Sequence, residues 1–240
     1  MNPVWKYHIT DHENNNLNIF IMNITSIKKL FPAALVLIIF QLHQNNCQAQ
    51  YRPTLFFRED WKEIPAATPV TQEHVSNKNL ELKLYGPGCD SIKKSHHLTP
   101  ADDPYYIWSG TCIGNWALSL KNKNFFADLS EFSKIVWRSK QSGLRCLHVI
   151  LKLKNGKWLV GDQIDCLSSD WRIHEFILAD INWFELDIKT VIEGAPVNHP
   201  DLSRVDEIGF TDLMRGGQSA ACSRLDWIEV YGKSIPRNEK

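Results

Sequence analysis

Lys93, Lys94, His96, His97, Asp102, Asp103, Tyr105, Tyr106 and Trp108 fall within one proline-punctuated stretch, the densest gathering of reactive side chains in the sequence. Bases, acids, phenols and an indole so close together suit acid–base work. His96, His97 or Tyr106 could take a proton from a sugar ring while Arg215 or Arg138 neutralises a substrate carboxylate. That is the chemistry of β-elimination on a uronic-acid glycan. His96 and His97 are adjacent, so in an extended chain they face opposite sides and do not share a metal. The same stretch also reads as a surface loop that Tyr105 and Trp108 anchor to a core, since position in sequence says nothing of convergence in space.

Two further clusters carry polar chemistry. Asp162-Gln163-Ile164-Asp165-Cys166 leads to Ser168-Ser169-Asp170-Trp171-Arg172. An exposed Trp171 would offer a ring face to a sugar while Asp170 bonds its hydroxyls; equally, Ser-Ser-Asp is turn chemistry and Trp171 opens a buried strand. Asp212-Leu213-Met214-Arg215-Gly216-Gly217 places a carboxylate and a guanidinium beside glycines that let backbone approach a ligand or simply turn. Asp206, Glu207 and Asp226 are oxygen donors of the kind calcium prefers, with ion pairs to Arg204 or Arg224 as the alternative use. No phosphate-binding loop, Gly-x-Ser-x-Gly or Cys-x-x-Cys occurs, which argues against nucleotides, serine hydrolases, zinc ribbons and thioredoxin chemistry.

These residues must be held by short strands. Apolar and polar residues alternate over 205–211 and 224–231, the mark of sheets with one wet face. If Ile228 and Val230 face the core, Asp226 shares their side and needs a cation or several donors to offset its desolvation. Further strand-like runs cover 55–57, 80–85, 105–109, 116–120, 135–138, 145–154, 157–162, 172–178 and 184–187. Asn155-Gly156 is the type I′ hairpin dipeptide. Asp128-Leu129-Ser130 and Asp201-Leu202-Ser203 can each cap a short helical turn before a strand. Many short strands without crossover helices predict an all-β fold, an antiparallel β-sandwich or jelly roll.

The 240 residues carry 27 Lys+Arg against 27 Asp+Glu, so the net charge is zero and nothing argues for nucleic acid. Near the N-terminus, charge at Lys28 and Lys29 precedes the apolar LFPAALVLIIF of 30–40, too short for a comfortable membrane span. Residues 22–49 therefore read as a signal peptide cleaved near Ala49. The polar 1–21 reads as an upstream extension, with translation beginning at Met22. Lipidation at Cys47 is the alternative. One exported domain over 50–240 follows, without a transmembrane segment, secreted, periplasmic or at the cell surface. Export permits disulfides, and Cys89–Cys112 is the expected bridge because both sit in glycine-containing loops; Cys146 is expected inside a strand as a buried small hydrophobe.

Several motifs resemble galactose-binding-like jelly rolls, an architecture shared by carbohydrate-binding modules and the CIA30-type domain. They are Asp128-Leu129-Ser130 with Ile135-Val136-Trp137-Arg138-Ser139, the Leu147–Lys152 strand with its Asn-Gly-Lys-Trp hairpin, Val205–Phe210 and Leu225–Val230. The resemblance covers roughly the second half of the domain. It implies a β-sandwich that binds carbohydrate, with a structural calcium beside the closing strand, at Asp226 and Asp206; with export and the aromatic-rich loops, it makes Tyr105, Tyr106, Trp108, Asp170, Trp171, Asp212 and Arg215 the expected sugar-facing residues. The alternatives are a polysaccharide lyase or glycoside hydrolase working through His96, His97, Tyr106 and Arg215, and a protein-interaction domain that uses an exposed sheet face.

Overall fold

The computed structural model describes residues 52–95, 99, 103–216 and 220–237. They form an antiparallel β-sandwich. The first sheet holds β1 (Leu55–Glu59), β3 (Lys93–Ser95), β4 (Tyr106–Trp108), β7 (Lys134–Gln141), β10 (Arg172–Ile177) and β14 (Ser223–Tyr231), in the order β10-β7-β14-β4-β3 with β1 beside β14. The second holds β2 (Leu80–Tyr85), β5 (Trp116–Asn122), β6 (Phe125–Asp128), β8 (Leu147–Leu153), β9 (Trp158–Asp165), β11 (Trp183–Asp187), β12 (Ile192–Val197), β13 (Val205–Asp212) and β15 (Lys233–Pro236). Its main path runs β12-β11-β9-β8-β13-β5-β2, with β6 and β15 at one corner. Helical structure among the described residues amounts to single 3-10 turns at Gln72–His74, Cys89–Ser91 and Leu178–Asp180.

Alternation builds the interior. In β7, Ile135, Trp137 and Ser139 point between the sheets, and Val136, Arg138 and Lys140 point out. Trp137 packs edge-on to Phe176 at 4.6 Å and to Phe210 at 6.3 Å, and Phe210 meets Trp116 at 6.0 Å. Each such ring removes enough apolar surface from water to stabilise the fold by about 1.5–3 kcal/mol. One carboxylate sits among them. Asp165, fully buried, accepts the Trp137 indole N–H at 2.8 Å, the Arg172 Nε–H at 2.9 Å and the Ser139 hydroxyl, joining a strand of one sheet to two of the other.

Asn155-Gly156 closes β8 and β9 in the expected hairpin, but the turn is not type I′: Gly156 has φ +86° while Asn155 is not left-handed, the Gly156 amide bonds the Leu153 carbonyl at 2.9 Å and the Leu153 amide bonds the Lys157 carbonyl at 2.8 Å. The segments expected to cap helical turns make tight turns instead, Asp128 accepting the Ser130 amide at 3.1 Å and Asp201 the Ser203 amide at 3.0 Å.

Two further expectations are corrected. The disulfide joins Cys146 to Cys166, and Cys89 and Cys112 are free. Leu147 pairs with Asp165, so the residues just outside that pair lie on adjacent chains with Cα atoms 4.1 Å apart. Cys146 thus sits ahead of β8, not within it. Cys112 is buried, its thiol turned to the Gly114 carbonyl, and Cys89 contacts Asp90. The second correction concerns Asp226. Leu225 pairs with Ser139 and Ile228 with Trp137, both facing the core, and a bulge sets Asp226 and Trp227 together opposite Arg138. Two residues against one reverse the alternation, and Asp226 leaves the core side.

Candidate ligand-binding face

The outward surface of the first sheet follows from register. Trp108, Arg224 and Lys93 lie side by side across β4, β14 and β3; Tyr231 pairs with Lys134, Glu229 with Val136 and Arg58. All of these point away from the core. Trp171, just ahead of β10, completes the set. Its ring lies 5.3 Å from the Tyr106 ring and 5.5 Å from the Arg138 guanidinium, which bonds Asp226 at 2.7 Å. Tyr106 is nearly covered as a result, and Trp171 itself stays half-exposed.

Cations stand over the other rings. Arg58 stacks on Trp227 at 4.4 Å, Lys93 on Trp108 at 5.0 Å and Lys134 on Tyr231 at 5.1 Å. Each contact contributes about 0.5–1 kcal/mol at such an exposed site. Arg58 also bonds Asp60 and Glu229, whose pull raises its pKa, and Lys134 bonds Glu175 at 2.7 Å. Burial pushes the Asp226 carboxyl up, and Arg138 works against that shift without cancelling it. Burial likewise raises the Tyr106 phenol. The Trp108 indole N–H is covered and donates to nothing among the described residues. The arrangement sets ring faces and a guanidinium on one surface, with the largely covered Asp226 carboxylate beneath the guanidinium.

The structure brings Tyr106, Trp108 and Trp171 to this face. Asp170 lies beside them, accepting the Trp171 amide at 2.7 Å and facing Lys140 at 3.6 Å. Tyr105 turns toward Lys94, whose ammonium sits 4.4 Å from its ring; burial lowers that lysine's pKa to about 8. Asp212 is not available to a ligand: fully buried, it binds Arg145 at 3.3 Å, the Ser223 hydroxyl and the Met214 amide. It closes the turn after β13, and burial raises its pKa. Arg215 follows on that turn, exposed, with no hydrogen bond or ion pair among the described residues. His96 and His97 lie outside the described residues. Asp206 and Asp226 stand in different sheets. Asp226 pairs with Arg138, and Asp206 with Arg237, Lys121 and Lys152. They share no site, and no group of three or more His, Cys, Asp or Glu able to hold a metal occurs among the described residues.

Comparison with known proteins yields structural likeness alone. No family model matches the chain. No curated protein matches it. Among solved structures, a family 11 carbohydrate-binding module of a cellulosomal cellulase of Clostridium thermocellum is similar at 14% identity, covering 74% of this chain and all of that one, with a TM-score of 0.43. A family 29 carbohydrate-binding module from Piromyces equi is similar at 14% identity, over 73% of this chain and 91% of its own, with a TM-score of 0.40. The carbohydrate recognition domain of Emp47p is similar at 13% identity, over 65% and 89%, with a TM-score of 0.32.

Sequence reading named Glu207 as an oxygen donor for calcium or an ion pair but passed over the rest of the outward face of the second sheet. There Glu207, fully buried, accepts from Lys152 at 2.8 Å, Tyr85 at 2.7 Å, Ser119 at 2.6 Å and Lys83 at 3.3 Å. Burial alone would push this carboxyl up, yet Lys152, Ser119 and Tyr85 outweigh it and bring the pKa to about 2. Trp158 adjoins, its ring 5.0 Å from Tyr85. The available signal was the alternation in Leu80-Glu81-Leu82-Lys83-Leu84-Tyr85, which sets Lys83 and Tyr85 on one side.

Proposed function

We propose that the protein binds a glycan on the outward face of the first sheet, with Trp171 as the platform and Arg138 and Asp226 as the groups that read hydroxyls. The observation that supports this is the half-exposed Trp171 ring packed at a tilt of 58° against Tyr106, with the Arg138–Asp226 pair at its flank. Sugars present alternating apolar C–H faces and equatorial hydroxyls. A fixed ring takes the first, and a charged donor–acceptor pair takes the second with hydrogen bonds stronger than neutral ones. Trp108 and Trp227 extend the surface in two directions, enough for more than one sugar ring. Because stacking contacts are shallow, the protein holds its ligand without a deep cleft.

Export completes the reading, with the signal segment cleaved near Ala49. The Cys146–Cys166 bridge suits an oxidising compartment. N-terminal sequencing of protein recovered outside the cytoplasm checks that point. For binding itself, a glycan array on the protein should return a saccharide class, and Trp171→Ala should weaken the best hit at least roughly tenfold. Loss of nothing on Trp171→Ala, with the array hit intact, would move the site elsewhere.

A further inference from the structure

Away from the ring-bearing face, residues 197–200 wall two cavities at once. One, about 540 Å³, is lined by Phe184, Trp183, Pro196 and Asn182 together with that wall; the other, about 530 Å³, by Lys154, Lys157, Arg204, Asn155 and Asp201. A third hollow of about 270 Å³ also borders His199 and Pro200; its Glu131 is taken up by Lys233 at 3.3 Å. Each larger cavity lies in the size range of small-ligand sites. His199 holds φ at +48° immediately before Pro200, a backbone state that residues preceding proline avoid. Strain of this kind is retained where surrounding structure enforces it, and it clusters at ligand clamps. The side chains of Asn198 and His199 are exposed and make no hydrogen bond among the described residues.

Charge separates the two cavities. The second gathers Lys154, Lys157 and Arg204 against the single carboxylate of Asp201, in a chain whose net charge is zero. Asp201 is already occupied by the Ser203 amide and hydroxyl, which hold its carboxyl below the usual range. Lys154 makes no ion pair among the described residues, and Lys157 reaches Glu185 only at 4.0 Å, with both side chains mostly exposed. The first cavity instead counts Trp183, Phe184 and Pro196 in its wall, beside amides. Asp162 lies there too, but both its oxygens accept from Asn182.

We propose that the 197–200 strap is a second binding site, for an acidic oligosaccharide. One sugar ring would lie against Phe184 and Pro196, and the carboxylate or sulfate of a neighbouring residue would sit among Lys154, Lys157 and Arg204. Asn198 and His199 would bond hydroxyls at the crossing. A single monosaccharide cannot occupy both sides of the strap, so the ligand is a chain. This site does not depend on the ring-bearing face, and the two can fail separately.

The test is calorimetric titration of the full protein with a galacturonate hexamer, a sulfated hexasaccharide and a neutral glucan hexamer. An acidic probe should bind, and its affinity should fall as salt is raised, because Lys154 and Lys157 are exposed. Lys154→Gln with Lys157→Gln should cost roughly tenfold in that affinity, and Trp171→Ala should leave it unchanged. His199→Asn keeps a side chain tolerant of the left-handed backbone and should weaken the same probe. Which acidic hexamer binds tells carboxylate from sulfate. The proposal is overturned if neither acidic probe binds, if the neutral hexamer binds this strap equally well, or if the lysine variants lose nothing. Loss of acidic binding in Trp171→Ala would likewise overturn it by placing the acid at the other face.

Discussion

The two outward faces of the sandwich carry similar side chains arranged to opposite ends. On the second sheet, the cations Lys83 and Lys152 turn inward onto a wholly buried carboxylate, Glu207, which Tyr85 and Ser119 also bind. On the first sheet, Arg58, Lys93, Lys134 and Arg138 stand over aromatic rings; the Asp60 and Glu175 carboxylates beside them are exposed, and Asp226 and Glu229 are largely covered. A carboxylate that has filled its acceptor sites fixes strands β2, β5, β8 and β13 in register but has little left for a ligand. Half-exposed rings such as Trp171 keep a face open, although Arg58, Lys134 and Arg138 beside them are ion-paired. The difference teaches that a polar cluster locks a sheet when its bonds close on themselves. It recognises something when they do not.

The sharpest way to break this comparison is to remove Glu207. Glu207→Ala should cost about 3 kcal/mol in a denaturant titration, because it strands two lysine ammoniums and a phenol, with the lysines' partial exposure holding the cost to the low end. Glycan affinity at the first sheet should not change. A loss of binding matching the loss of stability would mean that the two faces are not independent.

Reduction of Cys146–Cys166 comes next. The bridge closes a loop over a sequence separation of 20, and freeing it should cost about 3 kcal/mol in the chain-entropy account, seen as a lower unfolding midpoint under reductant.

Titration separates the faces by sign. Glu207 has a folded pKa of about 2 against an ordinary 4.5, so the stability it supplies is complete above about pH 4.5 and drains away as pH falls toward 2. Asp226 runs the other way: its pKa is raised, so the ionised carboxylate opposes folding and protonation relieves that cost. Glu207→Gln should flatten the acid limb of the stability curve. Asp226→Asn should leave that limb in place, hold stability at neutral pH and weaken glycan binding. An acid limb unchanged by Glu207→Gln would remove the role given to that carboxylate. The smallest effect is Ser119→Ala, expected at about 1 kcal/mol for one lost hydrogen bond among several, by the same denaturant titration.

Much of the fold was legible because alternation is local. Strand β2 matches its expected bounds, and the Asn155-Gly156 dipeptide placed the β8–β9 hairpin, though not its turn type. Strand β12 was missed because Ile192 through Pro196 are all exposed at a sheet edge, so no buried side imposes a pattern. Strands β3, β6 and β15 are three or four residues long, too short to show a period. The bulge at Asp226 was invisible because 224–231 alternates equally well without it; only the register against Arg138 shows the extra residue. Cysteine pairing failed for the same reason, since it depends on which chain ends lie side by side. At the face, residue types singled out Tyr106, Trp108 and Trp171, but meeting across strands is a property of sheet order. Asp212 misled because a carboxylate beside glycines looks the same whether it greets a ligand or closes a buried turn.

The most direct test is to follow the tryptophan indole N–H signals by two-dimensional NMR while the glycan from the array is added. Trp171, Trp108 and Trp227 should shift with the binding isotherm, and Trp158, beside Glu207 on the other sheet, should stay still. Movement at Trp158 with the other three unmoved would contradict the account.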